Sequence, residues 1–234
     1  MSQISQSSFL TYKATFLHAI RQVLADAPLR SLDEAGFPAY AHPNPLINWL
    51  FWQRLRVAIN DIVQEIPYER TLDFGCGSGI LLPYLAEHSQ YVLGLDIDLQ
   101  PYERIQKYIS FPSHIEVFDC REHPLPDYPP NSFDLITALD VLEHVTNLST
   151  IFNQLMALLK PGGRLIISGP TENVFYKFGR LLTGKEFTGA YHERGIAEIA
   201  EFAHQVGKVK MLAVLYPLWP LFQIFSVEKL RGDS

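Results

Sequence analysis

Hydrophobic residues in the first third of the chain recur every three to four positions. The recurring residues are Phe9, Tyr12, Phe16, Leu17, Ile20 and Leu24. This spacing is typical of one face of an amphipathic helix, and Pro28 ends it. Residues 31–45 contain one glycine and three prolines, which predicts a loop. A second helix, rich in aromatic and basic side chains, is predicted over residues 46–63.

From residue 70 onward, short hydrophobic runs alternate with segments of helical spacing. Such alternation is typical of βαβ units, in which helices connect parallel strands. Strands are predicted over residues 71–74, 91–96, 115–118, 133–138 and 164–168. Helices are predicted over residues 80–87, 101–109, 147–159 and 194–205. The sequence Pro161-Gly162-Gly163 is a stop signal for the third of these helices.

Two further strands are predicted near the C-terminus, over residues 209–216 and 221–227. Pro217 and Pro220 bound the loop between them, which is too short for a crossover between parallel strands. The pair is therefore expected to be antiparallel. The whole pattern predicts an α/β domain over residues 67–234, with residues 1–66 as a helical extension of the same unit that roofs its pocket.

Composition narrows the range of partners. The 234 residues are 47% hydrophobic, and a net charge of −6 with a pI near 5.7 does not match the basic surface of a nucleic-acid-binding protein. Cys76 and Cys120 belong to no CxxC pair, so neither a metal site nor a disulfide framework is predicted. No signal peptide is evident, and the apolar run 211–227 contains prolines and is too short for a membrane span. We expect a cytoplasmic protein with a small-molecule partner.

The stretch that organises the domain runs from Arg70 to Leu82. A hydrophobic run contains Asp73, then Gly75, Gly77 and Gly79 alternate with small residues, and a helical pattern follows. Alternating glycines permit positive φ and let a ligand approach the backbone closely. A helix that begins at such a turn offers unpaired N–H groups to a ligand. The stretch therefore predicts the binding of a nucleotide-type cofactor.

Two features favour S-adenosylmethionine over a dinucleotide at this turn. The dinucleotide fingerprint is GxGxxG, whereas the glycines here form GxGxG. A carboxylate at Asp73 is unfavourable beside a pyrophosphate but matches a ligand that carries an ammonium and a sulfonium. Asp96, at the end of the next predicted strand, can accept both ribose hydroxyls in either class of cofactor. It supports an adenosine ligand without choosing between the classes.

Four segments, in order, resemble the class I S-adenosylmethionine-dependent methyltransferases, especially their small-molecule branch. They are residues 72–79 (LDFGCGSG), 94–98 (GLDID), 132–136 with 142–145 (SFDLI and LEHV), and 159–163 (LKPGG). The resemblance covers about residues 70–168. It implies a Rossmann-like three-layer sandwich around a seven-stranded, mostly parallel sheet with an antiparallel last strand. It also implies transfer of a methyl group from S-adenosylmethionine to a small molecule, with lipophilic and sugar-linked acceptors as candidates.

The same resemblance assigns residues to the cofactor by their position in the motifs. The glycine turn and Asp73 would line its methionine end, Asp96 would hold the ribose, and Ile97 would pack on the adenine. Residues after the third strand would contact the adenine edge, and those after the fourth strand the amino acid part. The full set is Asp73, Gly75, Cys76, Gly77, Gly79, Asp96, Ile97, Asp119, Cys120, Leu139 and Asp140.

Catalytic residues are less well defined than cofactor residues. A sulfonium is already a good leaving group, so alignment of the reactants matters most and no triad is expected. A general base is needed only if the acceptor arrives protonated. The candidates are His144 and Glu143 after the fourth strand, and His192 at the end of the loop 171–192. The alternative roles are packing or helix capping for His144 and a solvated loop position for His192.

The long loop 171–192 is the expected acceptor-binding segment. It mixes aromatic side chains with Arg180 and Lys185, and a connection of this length is usually functional. The alternative is a short amphipathic helix over residues 174–182 that packs on the core.

The helix 46–63 also has two possible roles. It could roof the pocket, or it could rest on a membrane surface with Arg54 and Arg56 at the interface. The domain core explains most of its hydrophobic residues.

Two other functions remain open from sequence alone. A nicotinamide-dependent oxidoreductase is disfavoured by the GxGxG spacing and by Asp73. A non-catalytic S-adenosylmethionine-binding protein is disfavoured because Asp73, Asp96 and the three glycines of the turn are all present. Oxygen, nitrogen and carbon acceptors share this scaffold, so the fold does not select among them.

Overall fold

The first part of the fold is helical. A computed structural model describes residues 6–26, 37–64, 67–121, 128–171, 195–215 and 220–230. Its first helices are α1 (Gln6–Asp26), α2 (Phe37–Tyr40) and α3 (Pro45–Ile62). Helix α3 begins close to the predicted position because the side chain of Asn44 accepts a hydrogen bond from the N–H of Leu46 and Pro45 starts the first turn.

The remaining elements alternate between strands and helices, as the hydrophobic pattern predicts. The strands are β1 (Tyr68–Phe74), β2 (Ser89–Asp96), β3 (Ile115–Asp119), β4 (Phe133–Leu139), β5 (Leu159–Pro170), β6 (Lys208–Leu215) and β7 (Phe222–Glu228). The helices are α4 (Leu82–Ala86), α5 (Gln100–Ile105), α6 (Leu148–Leu158) and α7 (Ile196–Val206), with a 3-10 turn at Leu142–His144.

The strands form a seven-stranded sheet in the order β3-β2-β1-β4-β5-β7-β6. Strand β7 pairs antiparallel with both β5 and β6, whereas the other pairs are parallel. The predicted topology and the antiparallel last strand are therefore confirmed. The chain moves outward from β1 to β3 on one side and returns to β4 on the other. The carboxyl ends of β1 and β4 consequently meet at a topological switch point, where ligands bind in sheets of this kind.

The core consists of two hydrophobic layers, one on each face of the sheet. Neighbouring residues of a strand point to opposite faces. Leu135 therefore packs in the layer that contains α1, α3, α4 and α5, while Ile136 packs in the layer that contains α6 and α7. Ile166 and Ile167 divide in the same way. This arrangement confirms the three-layer sandwich and places the N-terminal helices beside α4 and α5.

Two local predictions are wrong. Helix α2 lies within the predicted loop 31–45, because Phe37 and Tyr40 are buried and tertiary packing overrides the local proline signals. Helix α4 begins at Leu82 and not at residue 80, because residues 79–82 form a further turn in which the N–H of Leu82 donates a 3.1 Å hydrogen bond to the carbonyl of Gly79. The expected helix N-terminus at the glycine turn is thus not formed. The turn instead closes on itself, with a hydrogen bond from the N–H of Gly79 to the carbonyl of Cys76.

Other predictions concern residues that the structure does not describe. The predicted helix 174–182, residues 172–192 of the predicted loop 171–192 and residues 217–219 of the predicted loop between the last two strands lie outside the described residues. Within the described part of the chain, the structure contains no helix with the length and hydrophobicity required to cross a membrane.

Candidate functional site

The candidate site lies at the carboxyl ends of β1, β2 and β4. The turn after β1 has three glycines with positive φ, which are Gly75 at 76°, Gly77 at 53° and Gly79 at 74°. Residues with a Cβ seldom adopt this conformation, so the alternating glycines are what allow the chain to turn here. The predicted backbone cradle is present at the predicted residues.

Gly75 is also required by a close contact. A Cβ placed on Gly75 would lie 2.5 Å from Cγ2 of Val141, which follows β4. The side chain of Val141 in the loop after β4 therefore packs directly against the backbone of Gly75 in the turn after β1. A larger side chain at residue 75 would collide with this loop.

Asp73 is a buried acid at the end of β1. It is 4% exposed, and the hydroxyl of Thr137 on β4 donates a 2.6 Å hydrogen bond to its Oδ1. Burial raises the pKa of Asp73 to about 7, an effect that the Thr137 hydrogen bond opposes and the nearby Asp96 reinforces. A carboxyl group with this pKa gains a full negative charge most readily when a cation is beside it.

Asp96 shapes the glycine turn from the neighbouring strand. Its Oδ2 accepts a 2.7 Å hydrogen bond from the N–H of Gly77, and its Oδ1 accepts a 3.0 Å bond from the N–H of Asp98. Burial raises the pKa of Asp96, while these backbone donors act in the opposite direction. The sequence identified Asp96 as a ribose acceptor but not as a structural partner of the turn.

The other residues predicted at the tips of β2 and β3 fall into two groups. Ile97 is 63% exposed and directly follows β2. Asp119 is exposed and its carboxylate accepts hydrogen bonds from Arg121. Cys76 and Cys120 are buried thiols, and the backbone N–H of Cys120 donates to the carbonyl of Asp96. The side chain of Ile97 is therefore accessible to a ligand. The two cysteine side chains are not, and these residues contact β2 through backbone hydrogen bonds.

The loop after β4 is held in an unusual conformation at Asp140. Its φ is 56°, in the left-handed region that few residues other than glycine adopt, although aspartate and asparagine do so more often than most. The N–H of Asp140 donates a 3.0 Å hydrogen bond to the carbonyl of Ser168 on β5, and the Ser168 hydroxyl donates a 2.6 Å bond to Oδ1 of Asp140. Leu139 precedes it as the last residue of β4 and is half-buried.

Arg54 is a functional candidate that sequence reasoning did not select as a site residue. It comes from α3, is 5% exposed, and forms an ion pair with Oδ2 of Asp140. Its guanidinium carbon lies 5.8, 4.9 and 5.7 Å from the ring centroids of Tyr40, Phe51 and Phe222. The only sequence signal was an arginine within an aromatic-rich helix, which is equally typical of a surface position.

Helix α1 contacts the other side of the cradle. The hydroxyl of Tyr12 donates a hydrogen bond to the carbonyl of Ile80, immediately after the glycine turn. Burial raises the pKa of Tyr12 well above its usual value, so the phenol stays protonated and remains a donor. Both long N-terminal helices thus contact the segments that form the site.

The catalytic candidates differ in their surroundings. His144 ends the 3-10 turn after β4 and is exposed. Glu143 beside it is 1% exposed, and its Oε2 has no hydrogen-bond partner among the residues that the structure describes. Burial raises the pKa of Glu143 to about 7, while the positive charge of Arg54 opposes that shift. His192 lies outside the described residues.

Comparison with known proteins identifies the family. The profile of a family described as a methyltransferase domain matches residues 18–221. The chain belongs to this methyltransferase family. A ubiquinone biosynthesis O-methyltransferase of Pseudomonas fluorescens (strain SBW25) is 28% identical over 172 residues, which are 72% of this chain and 69% of that protein. The chain is an S-adenosylmethionine-dependent methyltransferase that acts on a small molecule, as its motifs imply.

Solved structures confirm the fold of this methyltransferase. The N-methyltransferase NodS from Bradyrhizobium japonicum WM9, in complex with S-adenosyl-L-homocysteine, has a TM-score of 0.58 at 18% identity and covers 92% of this chain and 98% of its own. The [4+2]-cyclase SpnF has a TM-score of 0.56 at 15% identity and covers 77% of this chain and 83% of its own. A methyltransferase and a cyclase share this fold, so the likeness carries no information on the acceptor.

Proposed function

We propose that this methyltransferase transfers a methyl group to a hydroxyl oxygen of a small organic acceptor. The name of the Pseudomonas relative supports oxygen as the acceptor atom. The aromatic rings of Phe51 and Phe222 near the tips of β4 and β5 support an acceptor with a hydrophobic part. The observation that carries the proposal is the buried acid Asp73 beside a turn of positive-φ glycines at the switch point of the sheet.

The described residues fit S-adenosylmethionine in this proposal. Asp73 faces its ammonium group, and its pKa near 7 falls when that cation is bound. The glycine turn gives the methionine part access to the backbone, where no Cβ could be placed at Gly75. Asp96 accepts the ribose hydroxyls, and the exposed side chain of Ile97 becomes covered by the adenine. The residues that follow β3 and β4 complete the set: Asp119, Cys120, Leu139 and Asp140.

The protein's main contribution to catalysis is alignment. S-adenosylmethionine supplies a methyl group on a sulfonium, which is an electrophile with a good leaving group. The chain must hold the acceptor oxygen in line with the methyl carbon and the sulfur, and such alignment can contribute roughly 7–11 kcal/mol. The buried edge around Arg54 and Glu143 limits access of water to this position.

A hydroxyl acceptor must also lose a proton. We assign His144 as the first candidate base, because it ends the 3-10 turn that follows β4 and its side chain is exposed. His192 is the second candidate. Glu143 is less suited to direct contact with the acceptor, since only 1% of its surface is exposed. A positioned base typically adds ~10²–10⁴-fold to the rate.

The domain organisation and the location are parts of the same proposal. Residues 1–66 act with residues 67–234 as one unit, and α1 and α3 cover the site. The contacts of Tyr12 with Ile80 and of Arg54 with Asp140 support this arrangement. Free, buried thiols at Cys76 and Cys120 support a reducing compartment such as the cytoplasm.

The test is incubation of the full chain with methyl-labelled S-adenosylmethionine and matched sets of phenols, catechols, sugars and amines. Mass spectrometry then identifies the labelled product and the methylated atom. A labelled methyl ether supports the proposal. Exclusive methylation of nitrogen or carbon contradicts it. A titration with NADH, monitored by fluorescence, addresses the oxidoreductase alternative, because that class of enzyme must bind the nicotinamide cofactor.

A further inference from the structure

The contact between Arg54 and Asp140 joins the N-terminal helices to the loop after β4. Arg54 belongs to α3, whereas Asp140 directly follows the last residue of β4. The partners are far apart in sequence and both lie in a largely buried environment, with side chains 6% and 19% exposed. Such a pair is weakly screened by solvent and salt, so it can fix geometry in a way that a surface pair does not.

The contacts of Asp140 hold a backbone that is in the left-handed region, at a φ of 56°. Aspartate adopts this region more readily than most residues, but the region is still less favourable than the ordinary helical and strand regions. Ser168 holds the N–H and Oδ1 of Asp140, and Arg54 holds Oδ2. Removing Arg54 would leave one carboxylate oxygen without its cation in a site that excludes most water.

Arg54 is itself fixed from several directions. Its Nη2 donates a 2.7 Å hydrogen bond to the hydroxyl of Tyr40, and the rings of Phe51 and Phe222 lie close to the guanidinium. Tyr40 and Phe51 come from the N-terminal helices, while Phe222 begins β7. These contacts fix the guanidinium group independently of Asp140. The position of the β4 loop therefore depends on the positions of α2 and α3.

The next residue in the chain connects Asp140 to the glycine turn. Val141 occupies the space that a Cβ on Gly75 would need, at 2.5 Å from that hypothetical atom. A shift of Asp140 would carry Val141 into or away from Gly75. The route from α3 to the glycine turn thus consists of three direct contacts, which are Arg54 with Asp140, Asp140 with its neighbour Val141, and Val141 with Gly75.

We propose that Arg54 is a positioning residue for cofactor binding, which acts through Asp140 and Val141 on the glycine turn. The N-terminal extension is then a part of the cofactor site and not only a cover for it. Arg54 does not contact the cofactor in this proposal; it sets the conformation of the loop that does. The inference rests on the proposed assignment of the glycine turn and of Asp140 to the cofactor.

The test is a double-mutant cycle on binding of S-adenosyl-L-homocysteine, measured by calorimetry with the full chain. Arg54→Met and Asp140→Asn each weaken binding by roughly 10- to 100-fold, which is within the usual range for coupling between two sites. The double variant is no weaker than the weaker single variant, because both substitutions interrupt one route. Arg54→Lys, which keeps the positive charge, restores part of the affinity.

Arg56→Met is the matched control. Arg56 lies on the same helix but stands over the ring of Phe9, away from Asp140, so its replacement leaves affinity unchanged. Amide hydrogen exchange at residues 140 and 141 gives a second readout, and it accelerates in Arg54→Met but not in Arg56→Met. The KM for S-adenosylmethionine rises while kcat changes little. A general loss of folding would instead accelerate exchange throughout the sheet.

Two outcomes overturn the inference. Wild-type affinity in a folded Arg54→Met protein shows that the contact does not position the turn. Multiplicative losses in the double variant show that Arg54 acts on the cofactor separately from Asp140. If Arg54→Met does not fold, the cycle uses Arg54→Lys, Asp140→Asn and their double variant. The same outcomes then support or contradict the inference. A wild-type protein that fails to bind S-adenosyl-L-homocysteine refutes the proposed cofactor site itself, which is a different result from any of these.

Discussion

The turn after β1 and the loop after β4 lie at the same edge of the sheet, but they depend on different parts of the chain. The turn after β1 is formed by neighbouring residues, with Gly75, Gly77 and Gly79 at positive φ and Asp73 just before them. The loop after β4 depends on Arg54 from a distant helix and on Ser168 from β5. Local geometry can be read from a sequence motif, whereas geometry imposed by distant contacts cannot.

The largest expected effect concerns catalysis on the β4 side. His144→Ala should lower kcat by ~10²–10⁴-fold, because a protonated hydroxyl acceptor loses its base. The affinity for S-adenosyl-L-homocysteine, measured by calorimetry, should stay the same. His204→Ala provides the control, since His204 is exposed on α7. Full turnover by His144→Ala with intact cofactor affinity would assign the base role elsewhere.

A slightly smaller effect is expected on the β1 side, where the motif is local. Gly75→Ala should weaken binding of S-adenosyl-L-homocysteine by about 100-fold, because backbone strain and overpacking each cost ~1–3 kcal/mol. The added Cβ would meet Val141 at 2.5 Å and would also be strained at a φ of 76°. Calorimetry measures the affinity, and thermal unfolding separates it from stability.

Gly162→Ala is a control with the same kind of backbone strain. Gly162 has a φ of 80° near the start of β5, at the opposite end of the strand from the site. This variant should lose stability, by ~1–3 kcal/mol, and keep its cofactor affinity. Equal affinity losses at both glycines would mean that general strain, and not the contact with Val141, explains the effect of Gly75→Ala.

The strand topology and the glycine turn after β1 could both be predicted from the sequence. The physical reasons differ between the two. The strands follow from hydrophobic runs bounded by turns, and the antiparallel pairing of β7 follows from a short connection. The glycines are recognisable because a turn with positive φ at three positions restricts the residues allowed there.

The roles of Arg54 and Glu143 depend on burial that no local pattern encodes. From its sequence context Arg54 is a surface arginine on an amphipathic helix, and only the packing of α3 beside the loop after β4 brings it to Asp140. Helix α2 was missed for the same reason, since burial of Phe37 stabilises a segment whose prolines predict a loop. Such long-range contacts are set by the assembled core.

The third prediction uses the acidity of Asp73 to probe the β1 side. With a pKa near 7, Asp73 is largely protonated below neutral pH, so it loses its attraction for the ligand's ammonium. The affinity for S-adenosyl-L-homocysteine should fall by up to about tenfold for each pH unit below 7 and level off above it. Calorimetry at pH 5.5, 6.5 and 8 would measure this profile.

Asp73→Asn tests the assignment of that profile. The variant should bind about 10- to 100-fold more weakly at pH 8, as expected for a lost charge-assisted hydrogen bond. Its affinity should also vary less with pH than that of the wild type. A wild-type affinity that is constant from pH 5.5 to 8 would contradict the role of Asp73 as partner of the ammonium.

The smallest expected effect concerns Glu143, on the β4 side. The pKa of this buried acid is about 7 in the folded protein and near 4.3 in an unfolded chain. The folded state therefore binds the proton more tightly, and the stability that this provides is lost as pH rises from about 4 to 7. Glu143→Gln removes the ionisation and should stabilise the protein at pH 8 by ~1–3 kcal/mol, with a smaller gain at pH 5.

Thermal unfolding at both pH values measures the effect, with Glu201→Gln on the exposed side of α7 as control. A gain from Glu143→Gln that is the same at pH 5 and pH 8 would mean that the carboxylate is not desolvated in the folded state. A loss of stability at pH 8 would mean that the pairing of Glu143 with Arg54 outweighs its burial. In that case the positive charge of Arg54 would serve both acids of the β4 loop, and replacing Arg54 would weaken the loop more than Asp140→Asn does.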